Sequence, residues 1–465
     1  MNSFFINFNN RSNEPLYIQL YEKLKEDIRG GRILAGEKLP SLRQMAKELD
    51  VSITTTEQAY NQLLVEGYLV SKPKSGYYVA ESLASVLPEN VNPENQPQFT
   101  DYTFTEPTYL YDTSAFDFQK WKKSMNRVFN DYSHMLLFES DVQGEQVLRY
   151  EISRYIYSSR GVICTPDQIV IGAGTQQLTG FLAIILKKMH IDYICTEDPG
   201  YLPIQNIFRD YDFAIGKIPV GSQGIDIERL PVNIPSAVYV SPSNQFPTGS
   251  VMPAANRFRL IEWAKKNGSI ILEDDYDSEL RYFGKPVPAL QGIDTEAQVV
   301  YLGSFSSTLF PAIKISYMVL PPDMVNIFRK IKTDYTQGCS KTEQLTLALY
   351  MEEGHYHRNI RKLRNLYSNK LQLTMDALEK YGTDFITPFD TRSGIRLILS
   401  VKTNKSAKQL CKESKELGIR TEPLITEQEK GQVSLTLYYS YLPADSIDRL
   451  ICENVRLWRN HVDKF

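Results

Sequence analysis

Between Glu14 and Ala80 the apolar positions follow a helical period three times and then alternate. Tyr17, Tyr21, Leu24 and Ile28 recur at spacings of four, three and four, one face of an amphipathic helix. Gly30-Gly31 is its expected stop. Ser41 followed by Gln44 predicts a capping box, opening a short helix that buries Leu42, Met45, Ala46 and Leu49. Ser52 is expected to cap a third helix carrying Thr56, Ala59, Tyr60, Leu63 and Leu64 on one face, ended by Gly67. Tyr68-Leu69-Val70, a turn around Lys74-Ser75-Gly76, and Tyr77-Tyr78-Val79 predict a hairpin. Two short helices joined by a tight turn and followed by a hairpin form a winged helix-turn-helix. Its third helix enters the major groove and its hairpin meets the backbone or minor groove.

The pattern breaks after Ala80. Residues 81–100 hold three prolines with several Asn and Gln and little apolar periodicity, as an exposed connector would. From about Tyr102 onward, short β-rich runs alternate with helical stretches: 168–172, 193–195, 237–240, 269–272 and 299–302. That alternation predicts an α/β layer architecture with a mainly parallel sheet. The expected domains are therefore 1–80, a linker at 81–100, and 101–465.

Composition narrows the class. A chain of 465 residues with 42% hydrophobic and 23% charged residues is ordinary for a globular protein of two or three domains. It has no apolar run near the roughly 20 residues of a membrane helix and no signal-peptide pattern, so a cytoplasmic protein without membrane contact is expected. Five dispersed cysteines without a CxxC pair read as reduced thiols, and no metal site is expected. The net charge of -3 excludes a general polyanion binder. The stretch from Arg11 to Ala80 carries ten basic and nine acidic residues, so the ordered motif argues for DNA and the charge does not.

Five loops at or after strand ends hold candidate chemistry. Gly172-Ala-Gly174-Thr175-Gln176-Gln177 opens a helix whose amides could meet a phosphate, and is equally the pattern of a plain tight turn. Tyr201, after Asp198-Pro-Gly, could stack on a planar ligand or simply pack. Asn244 and Gln245 lie in a polar turn shaped by Pro247 and Gly249. Glu273-Asp274-Asp275-Tyr276-Asp277 ends an apolar strand, where acids are costly unless a cation sits there or the loop is solvated. Gly303-Ser304-Phe-Ser306-Ser307 follows another strand, with Lys314 shortly after.

The segments from Gly36 to Arg43 (GEKLPSLR), from Val51 to Thr56, Ala59-Tyr60, Glu66-Gly-Tyr68 and Gly76-Tyr-Tyr-Val79 resemble the GntR superfamily in order and spacing. The five loops together, with Gln143-Gly-Glu-Gln-Val-Leu-Arg149, resemble fold-type I aminotransferases. The combination is similar to the MocR subfamily of GntR regulators, and it covers nearly the whole chain. The resemblance implies a winged helix-turn-helix fused to a fold-type I PLP-dependent-transferase-like domain with a smaller C-terminal subdomain. It implies contact with double-stranded DNA by Arg43, Ser52, Thr54, Thr55, Lys72, Lys74 and Gly76. Ile53 stands where the family often has arginine. For pyridoxal phosphate it implies a phosphate cup at Gly174, Thr175, Gln176, Ser304, Ser306 and Lys314, with Tyr201 stacked on the ring. Asn244 or Gln245 would lie near the ring hydroxyl with Tyr276 close by, and Asp274 would hold the pyridine nitrogen. A homodimer and a small-molecule effector are implied too.

Three departures bear on the chemistry. The family's Schiff-base lysine falls at Ser307, and Lys314 replaces the usual phosphate arginine. An arginine found two residues after the stacking tyrosine in some members is Pro203 here, and Thr436 occupies the slot of the substrate-carboxylate arginine. Transamination needs an amine to hold the aldehyde and shuttle the α-proton, which a serine hydroxyl does not do at neutral pH. The expectation is a regulator with no catalytic residues that senses a small effector, any pyridoxal phosphate being held without a covalent bond. The alternative is a working aminotransferase with an accessory DNA-binding head.

Overall fold

The computed structural model describes residues 8, 14–85, 104, 107–282, 287–294, 296, 298–389, 394–424 and 431–459. The chain divides into two compact units, Met1–Thr105 and Glu106–Phe465. Residues 86–100 of the expected linker lie outside the described residues, and Glu81–Ser85 forms a 3-10 turn.

The first unit holds helices α1 (Leu16–Arg29), α2 (Leu42–Glu48) and α3 (Ile53–Val65), then strands β1 (Leu69–Lys72) and β2 (Gly76–Val79). Leu20, Leu24, Ile28, Met45, Ala59, Tyr60, Leu63, Leu69 and Val79 form its core. The inward face of α1 thus includes Leu20, while Tyr17 is only half-buried. Ser41 caps α2 through the Gln44 amide at 3.3 Å. The expected capping box is only half made, because the Gln44 side chain turns down the helix to Glu48 at 3.0 Å instead. An exposed carboxylate one turn on competes for the same amide. The hairpin pairs Leu69 with Val79 and Lys72 with Gly76, its turn taking left-handed φ values at Lys74 (63°) and Gly76 (112°).

The second unit is built on an eight-stranded sheet of β3 (Ile169–Gly172), β4 (Tyr193–Asp198), β5 (Ala214–Gly221), β6 (Gly224–Ile225), β7 (Ala237–Val240), β8 (Ile270–Asp274), β9 (Val299–Ser304) and β10 (Ser316–Val319). The order is β3-β10-β9-β8-β7-β4-β5-β6. Only β10 and β6 run against their neighbours. Helices α4 (Phe118–Asp131), α5 (Gln146–Arg160) and α6 (Thr175–Lys188) belong to this unit. The long helix His355–Gly382 leads to a four-stranded antiparallel sheet ordered β11-β12-β14-β13, with β11 Ile386–Phe389, β12 Leu397–Lys402, β13 Thr421–Pro423 and β14 Gln432–Leu437. No helix among the described residues is long and apolar enough to cross a membrane.

The strands of β3, β4, β7, β8 and β9 are buried along almost their whole length, which explains their near-continuous apolar runs. These five share one direction, so the five loops singled out in the sequence all leave the same edge of the sheet. That carboxyl edge is where open α/β sheets bind ligands.

Candidate functional site

In the first unit Ser52 starts α3 by accepting the Thr55 amide at 3.0 Å, and its hydroxyl meets the Thr55 hydroxyl at 2.8 Å. Both side chains are therefore engaged in the cap, while Thr54 and Ile53 are exposed beside them. Arg43 on α2 and Lys74 in the hairpin turn are exposed and form no ion pair with the described residues. Lys72 lies 4.7 Å from the Tyr78 ring centre and 3.8 Å from the Glu81 carboxylate. Lys38 approaches the same ring at 5.7 Å. It was not expected from the sequence, because only the backbone bridge from Lys38 to Tyr78 brings it to the hairpin.

In the second unit the loop before α6 turns at Gly174, whose φ of +94° favours glycine, and the space where a Cβ would stand is open. The first amides of α6 follow at Thr175 and Gln176. Burial raises the Tyr201 hydroxyl above its usual range, with the nearby Gln176 side chain acting the other way. The Tyr201 ring meets Phe246 edge-on at 5.5 Å, and Phe246 meets Tyr276 at 6.3 Å. Ser304 and Ser306 hydroxyls are 3.4 Å apart, and Ser316 donates to Ser304 at 3.0 Å. Lys314 is exposed, has a left-handed φ of 49°, and makes no ion pair with the described residues.

Acidic groups crowd the ends of β4 and β8. Asp274 accepts a short hydrogen bond from Tyr239, and its carboxyl is pushed up to about 6, chiefly by burial. Burial raises Glu197 to about 8, against the Gln245 amide (3.1 Å) and the Ser241 backbone N–H (3.3 Å) that hold its oxygens. Gln245 also donates to the Pro199 carbonyl at 2.8 Å and accepts from Thr248, so it braces the loop. Asn244 is 4% exposed and its Oδ1 has no partner among the described residues. Asp277 is also buried and sits at a left-handed φ of 52°. Ser307 and Tyr276 favour its charged form against burial, and its Oδ1 has no hydrogen-bond partner among the described residues. Asp275 is spent on structure: Arg160 grips it at 2.6 and 2.8 Å, and Tyr301 donates to it at 2.5 Å.

Comparison with known proteins agrees with both units. Residues 16–79 match the model of the gntR family of bacterial regulatory proteins, and residues 103–431 match aminotransferase class I and II. YdeL of Bacillus subtilis (strain 168), named an uncharacterized HTH-type transcriptional regulator, is 38% identical over 88% of this chain and 89% of its own. The probable rhizopine catabolism regulatory protein MocR of Rhizobium meliloti is 31% identical over 88% of this chain and 86% of its own. The chain belongs to the MocR-like regulators. Among solved structures, this MocR-like chain resembles the kynurenine aminotransferase of Pyrococcus horikoshii at a TM-score of 0.63, with 22% identity over 75% of this chain and 89% of that one. An archaeal alanine:glyoxylate aminotransferase gives a TM-score of 0.66 at 20% identity, over 75% and 89% of the two chains. These likenesses show the fold of the large unit.

The structure adds residues to the MocR-like cleft that sequence reasoning missed. Phe246 is the ring at its centre, and Glu197 the acid beneath Gln245. Arg396, just before β12, lies with its guanidinium 4.2 Å from the centre of Phe246 and 5.7 Å from that of Tyr276. The short run Gly394-Ile-Arg396 ahead of an apolar strand was the one signal that could have flagged it. Thr436 donates its hydroxyl to the Glu422 carbonyl at 3.2 Å and offers nothing to the cleft.

Proposed function

We propose that this protein is a dimeric DNA-binding transcription regulator whose large unit senses a small molecule and does not turn it over. One observation carries the second half of that reading: the residue at the family's lysine position is Ser307, a hydroxyl near the buried Asp277 carboxyl, whose charged form it favours. It offers no amine to a carbonyl ligand.

The cleft nevertheless fits non-covalent pyridoxal phosphate. The open turn at Gly174, the α6 amides, Ser304, Ser306 and the unpaired Lys314 form a donor set for the phosphate. Asn244 Oδ1, buried without a partner, would accept from the ring hydroxyl. Asp274, with its carboxyl raised by burial, would regain its charge beside a protonated ring nitrogen. Tyr201 would cover one ring face. When bound, pyridoxal phosphate supplies a phosphate anchor and an electron-withdrawing ring with its aldehyde.

For DNA, exposed Arg43, Thr54, Lys72 and Lys74 support contact through α2, the start of α3 and the hairpin. Ser52 and Thr55 would shape the helix start, and Gly76 the turn. Pairing is supported by an apolar groove of about 440 Å³ lined by Tyr132, Met135, Val147, Tyr150, Leu345 and Leu349. Leu137 and Phe138, which follow Met135, are 84% and 70% exposed. A solvent-facing apolar area of this kind is suited to a second copy.

The test is pyridoxal phosphate added to the parent and to Ser307→Lys, followed by borohydride and intact-mass measurement. The parent should bind reversibly and gain no covalent mass, while the variant should gain one adduct. A stable adduct on the parent would overturn the reading.

A further inference from the structure

Three buried arginines sit in or near the cleft, and they differ in what they hold. Arg160 is saturated by Asp275, Ser243 at 2.7 Å and the Val287 carbonyl. Arg257 donates to the carbonyls of Met252, Pro288 and Pro242 at 3.0, 2.8 and 2.7 Å. Arg396 is 6% exposed and has no hydrogen bond or ion pair with the described residues. Its guanidinium lies against the Phe246 and Tyr276 rings, and its N–H groups have no acceptor among the described residues. A buried guanidinium without a hydrogen-bond acceptor forfeits its hydration, and stacking together with attraction to the nearby Asp277 carboxylate returns only part of that. Such a cost makes sense where an anionic ligand completes the site.

Its location fits that role. Arg396 lies two residues before Ile398, which pairs with Thr436 across β12 and β14. Thr436 and Pro203 bring no guanidinium, and Arg396 stands just before β12, the strand beside β14. Nearby acceptors point to the remainder of the ligand. Asp277 Oδ1 is buried and unpartnered in the loop that also carries Tyr276. Asn244 stands beside the Gly394 turn, with its Nδ2 3.4 Å from where a Cβ on Gly394 would lie.

We propose that Arg396 is the anion clamp of the effector site, holding the carboxylate of a small amino or hydroxy acid against the Phe246–Tyr276 wall. This rests on the large unit being a sensor, and it names the chemistry that the sensor selects. Arg396 presents the fork of donors that a carboxylate accepts in pairs. Asp277 takes the ligand's amino or hydroxyl group, and the rings exclude water from the pair.

Full-length protein is titrated by calorimetry with L-alanine, L-phenylalanine, L-lactate and 4-aminobenzoate, each beside its primary amide. The expected result is binding by at least one carboxylate, with its amide at least about tenfold weaker. Arg396→Met should lose that carboxylate by about tenfold or more, and Arg396→Lys should recover part of it. Because Arg396 donates no hydrogen bond to a described residue and gives the fold only ring stacking and a field at Asp277, Arg396→Met should melt close to the parent. No binding by any of the four carboxylates overturns the proposal. So do equal affinity for acid and amide, unchanged binding by Arg396→Met, or a lowered melting temperature with binding retained. Retention of DNA selected from a random pool is measured alongside. Its failure would count against the regulator reading and leave the clamp standing, whereas loss of carboxylate binding alone would do the reverse.

Discussion

Asp274 and Glu197 lie at the ends of strands two apart in the sheet, and burial holds both carboxyls well above the usual range, at about 6 and about 8. At neutral pH burial makes the charged form costly at both positions. A cationic ring nitrogen beside Asp274 would remove that cost. Asp274→Asn should therefore weaken pyridoxal phosphate by about tenfold or more while the ligand-free protein melts at or above the parent's temperature near pH 8, read by fluorescence titration and by melting. A merely structural aspartate would lower the melting temperature instead. At this scale the sequence singled out Asp274, Tyr276 and Ser307 as candidates, because each sits at a fixed offset from a strand end. It did not disclose Arg396 or Phe246, whose meeting depends on how the four-stranded sheet packs against loops some 150 positions earlier in the chain. No local pattern encodes that distance.

Among elements, α3 shows a division of labour within one turn. Ser52 and Thr55 hold each other and the helix start, whereas Thr54 points outward between them. Ser52→Ala should cost about 1 kcal/mol of stability in the DNA-reading unit through the lost cap, while Thr54→Ala should leave melting unchanged and weaken DNA retention. Melting curves and mobility shifts on the same preparations separate the two; equal melting temperatures for parent and Ser52→Ala would contradict the capping account. Strands β3, β4, β7, β8 and β9 were legible as apolar runs, since burial on both faces leaves no room for alternation. Strand β10 was not separately recognised. Ser316–Val319 is a short apolar run too, but its place between β3 and β9, antiparallel to both, is decided by pairing with strands far apart in sequence. The half-made cap at Ser41 was over-read for a related reason: the sequence offers Gln44 two partners, and only the fold selects Glu48.

For the molecule as a whole, buried acids set the pH response. Glu197 and Glu279 are raised to about 8 and about 7, Asp274 to about 6, and Glu273 upward beside Asp275. An acid whose folded-state value is raised stabilises the fold fully below its unfolded value, and that contribution is lost as pH rises through the folded one. The ligand-free protein should therefore melt progressively lower as pH climbs from about 5.5 to about 8.5. Saturating pyridoxal phosphate should flatten the Asp274 part of that slope. A melting temperature that rises across this range would contradict the burial of these carboxyls. Carboxylates held low, such as Asp275 under Arg160, stay ionised throughout and do not change the sign.

Phe246 touches Tyr201 from the loop after β4, Tyr276 from the loop after β8, and Arg396 at the threshold of β12. One phenyl ring is in this way a keystone shared by the two sheets of the large unit. A guest that tilts it must unsettle three segments together, so news of its arrival spreads beyond the spot where it lands.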